Sequence, residues 1–206
     1  MKKLLLIGPE ECFLSFQTVE EDVRRSYDVT CVKLSPLTSL ERQLLRHSPA
    51  DHAFLVFCDD RFSSLVRRSL ILSLEEKGYQ ALSYQSPTAR LEGPVHIAAS
   101  SIVMGGVTLA EGVQVGPYSV IGTGCYVGAN ARIAEAVTLQ PFARLGSGVV
   151  VGPRVSIGSG VTLNDGVTVG HDGEIATPGV YSGGIEARTY LHPKLGGPAR
   201  IYRFGV

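Results

Sequence analysis

From Leu91 to Ile175 an aliphatic residue stands at every sixth position: fifteen places, all Leu, Ile or Val, with no slip. The next residue is often glycine or alanine, as at Gly116, Gly128 and Ala134, and the residue four after each is small or β-branched, as at Val113, Ser119 and Ala131. A unit of this kind is one short strand plus a tight corner. Three units close a triangular coil, and the next coil stacks on it at strand spacing, about 4.8 Å. The aliphatic side chain points into the prism, and the small residue after it lets the corner turn, glycine permitting positive φ there. One coil cannot bury its apolar face alone, so the stack is needed for stability. Fifteen units give five coils, about 24 Å of helix. An antiparallel sandwich does not keep one register over so many strands. The pattern therefore predicts a parallel β-helix over residues 87–180, with 181–206 as a closing tail.

Ahead of Ser86-Pro87 the pattern changes. Strands over Lys3–Ile7, Val29–Val32, Ala53–Cys58 and Ala81–Tyr84 alternate with helices over Glu11–Arg25, Ser39–His47 and Phe62–Lys77. Thr38 or Ser39 suits an N-cap, Pro49 a stop and Gly78 a C-cap. Strand–helix–strand order predicts a small parallel sheet over 1–86, an α/β half-domain of Rossmann-like type. Glycine marks the same boundary: of 24 in the chain, only Gly8 and Gly78 precede residue 87.

Composition narrows the function classes. With 44% hydrophobic and 18% charged residues the chain is globular. Nineteen basic residues balance nineteen acidic ones, so no net field draws it to nucleic acid or an anionic membrane. The run Leu4–Ile7 is too short for a signal segment or a membrane span, so a cytoplasmic protein is expected. Cys12, Cys31, Cys58 and Cys125 lack CxxC spacing; reduced, mostly buried thiols are expected, with no disulfide framework and no metal site.

His171 is the only histidine inside the later regular coils, and Asp172 follows it. Acyl transfer from a thioester needs a base near neutral pH, which an imidazole supplies, and a neighbouring carboxylate can fix its tautomer. Arg154 lies one coil before Asp172, and a pair between those two would make Asp172 structural. His96 and His192 are weaker candidates, while His47 and His52 cover the helical half. Arg188, Lys194, Arg200 and Arg203 make a basic tail suited to phosphates. Val103, Tyr118, Tyr126 and Phe142 are candidates for self-association on the outer faces of the prism.

The order of parts resembles the hexapeptide-repeat sugar acyltransferases of the sialic-acid and bacillosamine pathways. The resemblance runs over nearly the whole chain: Lys2-Lys3-Leu4-Leu5-Leu6-Ile7-Gly8, Ala53 to Asp60 with Arg67-Arg68, Ser86-Pro87-Thr88-Ala89-Arg90-Leu91, and Gly197-Pro198-Ala199-Arg200. Val169-Gly170-His171-Asp172 and Pro178-Gly179-Val180-Tyr181-Ser182-Gly183 resemble segments of the lipid A-pathway acyltransferases. The resemblance implies a left-handed coil, a homotrimer with its active site between subunits, and transfer from acetyl-CoA or another acyl-CoA to an amine or hydroxyl of a sugar or nucleotide-sugar. It implies His171 and Asp172 as catalytic, Arg188, Lys194, Gly197, Pro198, Ala199 and Arg200 at the CoA site, and Gly8 and Pro9 at the sugar-nucleotide site. Two departures stand out. Gly8-Pro9-Glu10-Glu11-Cys12 replaces a glycine-rich loop, and Ala129 stands where the sugar acetyltransferases carry their histidine. They motivate a second reading, a catalytically inactive trimeric homologue serving as scaffold. A β-helical metal enzyme would need three histidines from adjacent coils, which the sequence lacks.

Overall fold

The computed structural model describes residues 2–34, 44, 46–57 and 65–200. It divides into two compact units, one of residues 1–59 and 66–84, the other of residues 60–65 and 85–206.

The first unit is built on four parallel strands: β1 (Lys2–Pro9), β2 (Tyr27–Leu34), β3 (His52–Val56) and β4 (Gln80–Ala81), in the order β2-β1-β3-β4. Leu4, Leu5, Leu6 and Ile7 are fully buried, which fits a central parallel strand covered on both faces. The single helix expected over Glu11–Arg25 is two, α1 (Glu10–Ser15) and α2 (Gln17–Arg24). The break falls at Phe16, whose backbone leaves helical space (φ −112°, ψ 17°) while its ring stacks on Phe57 at 4.5 Å. The last helix, α3, covers Leu65–Glu76. Cys58 and most of the helix expected over Ser39–His47 lie outside the described residues.

The second unit is the coil. Its strands fall on three faces. The first runs from Arg90–Leu91 to Gly179–Tyr181, the second from His96–Ile97 to Thr168–Val169, and the third includes the strands from Ile102–Val103 to Ala199–Arg200. Strands on one face pair in parallel one coil apart, as Val127 with Leu145 and Ile133 with Val151. The repeat shortens only at the end, where Ile175 pairs with Leu191. From Val103 onward the sixth-position side chains point inward, at 0–3% exposure, and form one continuous core. Each contributes about 1.5–3 kcal/mol by leaving water. Val103 belongs to this core, so it is no part of a self-association surface; Phe142 (65% exposed) and Val180 (69%) are surface residues.

The glycine that follows an inward residue does a different job from the one its flexibility suggests. A Cβ on Gly116 or Gly128 would lie 2.6 Å from backbone carbon of the next coil, so glycine is there because the coils approach closely. The left-handed positions come two residues later, as at Gly112 and Gly124.

Candidate active site

Each coil turns a corner between its second and third faces. Going up the stack this corner holds Ala99-Ser100, Pro117-Tyr118, Glu135-Ala136, Pro153-Arg154 and His171-Asp172, and Ala187-Arg188 continues the column. The second residue of every pair is left-handed, with φ between 54° and 62°. Backbone bonds tie the levels together: Ala136 N donates to Pro117 O (2.8 Å), Arg154 N to Glu135 O (3.0 Å), Asp172 N to Pro153 O (3.0 Å) and Arg188 N to His171 O (2.8 Å). At the other two corners the left-handed position is mostly glycine, as at Gly106, Gly124 and Gly160 or Gly112, Gly148 and Gly166. A left-handed residue other than glycine costs about 1 kcal/mol or more. This column bears that cost at every level, whereas the other two corners do so only at Asn130 and Phe142 among the described left-handed positions. Strain of this kind collects at functional sites.

Asp172 is the hub of the column. Its Oδ1 accepts from Arg154 Nε at 2.6 Å and its Oδ2 from Arg154 Nη2 at 3.0 Å. Oδ2 also lies 2.9 Å from His171 Nδ1. A carboxylate only accepts, so Nδ1 carries the proton, and in the neutral ring Nε2 keeps its lone pair. Pairing with Arg154 and orienting His171 are therefore not alternatives; Asp172 does both. Arg154 Nη1 reaches Glu135 Oε1 at 3.5 Å. The hydrogen bond to Asp172 raises the guanidinium pKa, so Arg154 remains a cation. The His171 side chain is 44% exposed, against 17% for Asp172 and 26% for Arg154, so the imidazole is reachable while its support is shielded. Sequence spacing suggested Arg154 but not Glu135, whose partner lies nineteen residues away around a corner.

The bacterial transferase hexapeptide family (six repeats) matches residues 106–141 and 130–165. Both matches fall within the coil. No curated protein sequence matches the chain. Among solved structures the chain is similar to a mutant of perosamine N-acetyltransferase from Caulobacter crescentus in complex with CoA and GDP-perosamine, with TM-score 0.73 and 21% identity over 91% of this chain and 92% of that one. It is similar to the acetyltransferase domain of PglB from Neisseria gonorrhoeae in complex with acetyl coenzyme A, with TM-score 0.79 and 16% identity over 97% and 99%. WeeI from Acinetobacter baumannii gives TM-score 0.65 and 16% identity over 97% and 100%. At these identities the likeness is one of fold.

Within the hexapeptide coil, Ala129 sits on the corner after the first face and His171 on the corner after the second, so His171 does not stand at the Ala129 edge of the prism. Arg188 joins the His171 column directly. Ala199 and Arg200 form a strand antiparallel to Thr189–Leu191, and Arg200 is ion-paired with Glu186. Lys194, Gly197 and Pro198 are exposed beyond it, and Arg203 lies outside the described residues. His96 is exposed on the second face, His192 stacks on Tyr190, and His47 meets His52 edge to face. In the first unit, Gly8 is the last but one residue of β1, where a Cβ would collide with Phe57 O, so strand packing already requires glycine. Pro9 caps α1 with no side-chain hydrogen bond. Glu10, which would repel an anion there, is met by Lys33 at 3.1 Å. Cys125 donates to Gln140 O in the core, and burial pushes its thiol up to about 12, which rules it out as a thiolate nucleophile.

Two residues after Asp172, burial pushes the Glu174 carboxyl up to about 7 from its ordinary 4.5. Above pH 7 it is ionised in both folded and unfolded chains, and only the folded one bears the desolvation cost. As pH falls from 7 to 4.5 the folded state takes up a proton that the unfolded state does not, and this cost disappears. Glu174→Gln is expected to raise Tm at pH 8 by roughly 2–4 °C, for about 1 kcal/mol after solvent screening, and to give no gain at pH 4. Thermal melts at the two pH values check it.

Proposed function

We propose that this chain is an acetyl-CoA-dependent N- or O-acyltransferase acting on a sugar or nucleotide-sugar, working in the cytoplasm as a homotrimer with the active site between subunits. The observation that carries the reading is the His171–Asp172 pair, held on the one corner of a hexapeptide coil that keeps side chains at every left-handed position. The folds it is similar to are described with CoA, acetyl coenzyme A or GDP-perosamine bound. In the reaction, His171 Nε2 takes the proton as the acceptor nitrogen or oxygen attacks the thioester carbonyl. The new C–N or C–O bond forms, the C–S bond breaks, and the CoA thiolate leaves and takes up the proton. Arg188 and Lys194, with the Gly197-Pro198-Ala199-Arg200 segment, supply cations and open backbone for the CoA phosphates. The four-stranded sheet serves as a Rossmann-like half-domain, with Gly8 and Pro9 at the sugar-nucleotide end. Exposed Phe142 and Val180 support the packing of copies, and a mass of three chains is the result expected from light scattering.

The test is protection against heat. Acetyl-CoA at a hundredfold excess over its dissociation constant is expected to stabilise the protein by about 2.7 kcal/mol, seen as a rise in Tm. No shift at millimolar acetyl-CoA would favour the inactive scaffold instead.

A further inference from the structure

The corner column carries more than a base and its carboxylate. We propose that Arg154 is the positioning residue of the site: clamped on Asp172 and tethered to Glu135, its guanidinium fixes the carboxylate so that His171 keeps its proton on Nδ1 and presents a bare Nε2. This rests on the reading of His171 as the acyl-transfer base.

Three observations support it. Asp172 has left-handed backbone (φ 56°) at a corner, where its carboxylate meets His171 beside it and Arg154 of the preceding coil. Asp172 accepts two hydrogen bonds from one guanidinium, at 2.6 and 3.0 Å, a fork that a carboxylate accepts in a single orientation. Arg154 is itself left-handed (φ 58°) at a position where glycine serves elsewhere in the coil, so the backbone gains nothing from an arginine there. Held in this way, Oδ2 faces His171 Nδ1 at 2.9 Å. Free imidazole side chains ordinarily favour the proton on Nε2, the tautomer that could not accept from the acceptor substrate at that atom. Without the clamp, the Asp172 carboxylate loses the fork that orients it and His171 reverts to that tautomer.

The variant of choice is Arg154→Asn, because asparagine tolerates left-handed backbone and removes only the guanidinium; Arg154→Gly is the second variant, with no backbone strain at all. Nitrogen NMR of ¹⁵N-histidine-labelled full chain, with His171→Asn assigning the resonance, reads the tautomer at a pH where the ring is neutral. The expected result is Nδ1–H in the unaltered protein and predominantly Nε2–H in both variants, with Arg154→Lys in between. Turnover of acetyl-CoA is expected to fall about tenfold or more in Arg154→Asn with little change in KM, and to recover partly in Arg154→Lys. Retention of Nδ1–H in both Arg154→Asn and Arg154→Gly overturns the proposal, whatever the rates. The tautomer is read without turnover. A protein inactive with every acceptor would count against the acyltransferase reading, while the NMR result would still decide the role of Arg154.

Discussion

His171→Ala is expected to lower acyl transfer at least about a hundredfold while leaving the fold intact. A positioned general base contributes roughly 10²–10⁴ in rate. His171 is the histidine whose Nδ1 is held by a shielded carboxylate while the rest of the ring is open. Its side chain is not part of the core, so the melting temperature should move little. The loss is expected in kcat, because the imidazole acts as the acceptor attacks and not in holding the CoA phosphates. Steady-state rates of thiol release from acetyl-CoA check it. A near wild-type rate would remove His171 from the mechanism and leave the column as a structural corner.

The second large effect concerns the coil. Ile133 and Arg132 are neighbours in one two-residue strand, one buried at 3% and the other exposed. Ile133→Ala removes packed atoms from the continuous core and leaves a cavity that the stacked backbones cannot close, so a loss of about 3 kcal/mol is expected. That corresponds to a Tm lower by roughly 9 °C for a chain of this size. Arg132→Ala is expected to stay within about 0.5 kcal/mol. The chain has no tryptophan, so circular dichroism is the probe. Equal effects at the two positions would mean that the strands do not alternate as the repeat requires.

The coil was legible in the sequence because every coil repeats one packing problem. The inward residue must be aliphatic each time, so the period survives even where Leu91, Glu92 and Gly93 lie open at the start. The role of glycine was less legible. Gly116 and Gly112 are both glycine, yet one is there for close approach and the other for left-handed backbone, and composition cannot separate the two. The helix break at Phe16 depends on Phe57, some forty residues away, and no local propensity reports such a contact. At the site, His171 and Asp172 stood out as chemistry-bearing neighbours, and Arg154 was within reach of simple coil arithmetic. The strain in the column was not, because Ser100, Tyr118 and Ala136 look like ordinary residues until their φ angles place them beside Arg154 and Asp172. Glu174 likewise reads as a surface acid, and only its burial in the coil moves its titration toward neutrality.

Thiol release from acetyl-CoA by the purified chain, with and without nucleotide-linked amino sugars, bears most directly on the acyl-transfer reading. The expected result is release that requires an acceptor and is lost in His171→Ala. Release no faster than the spontaneous hydrolysis of acetyl-CoA with every acceptor, or release that His171→Ala leaves untouched, would contradict it.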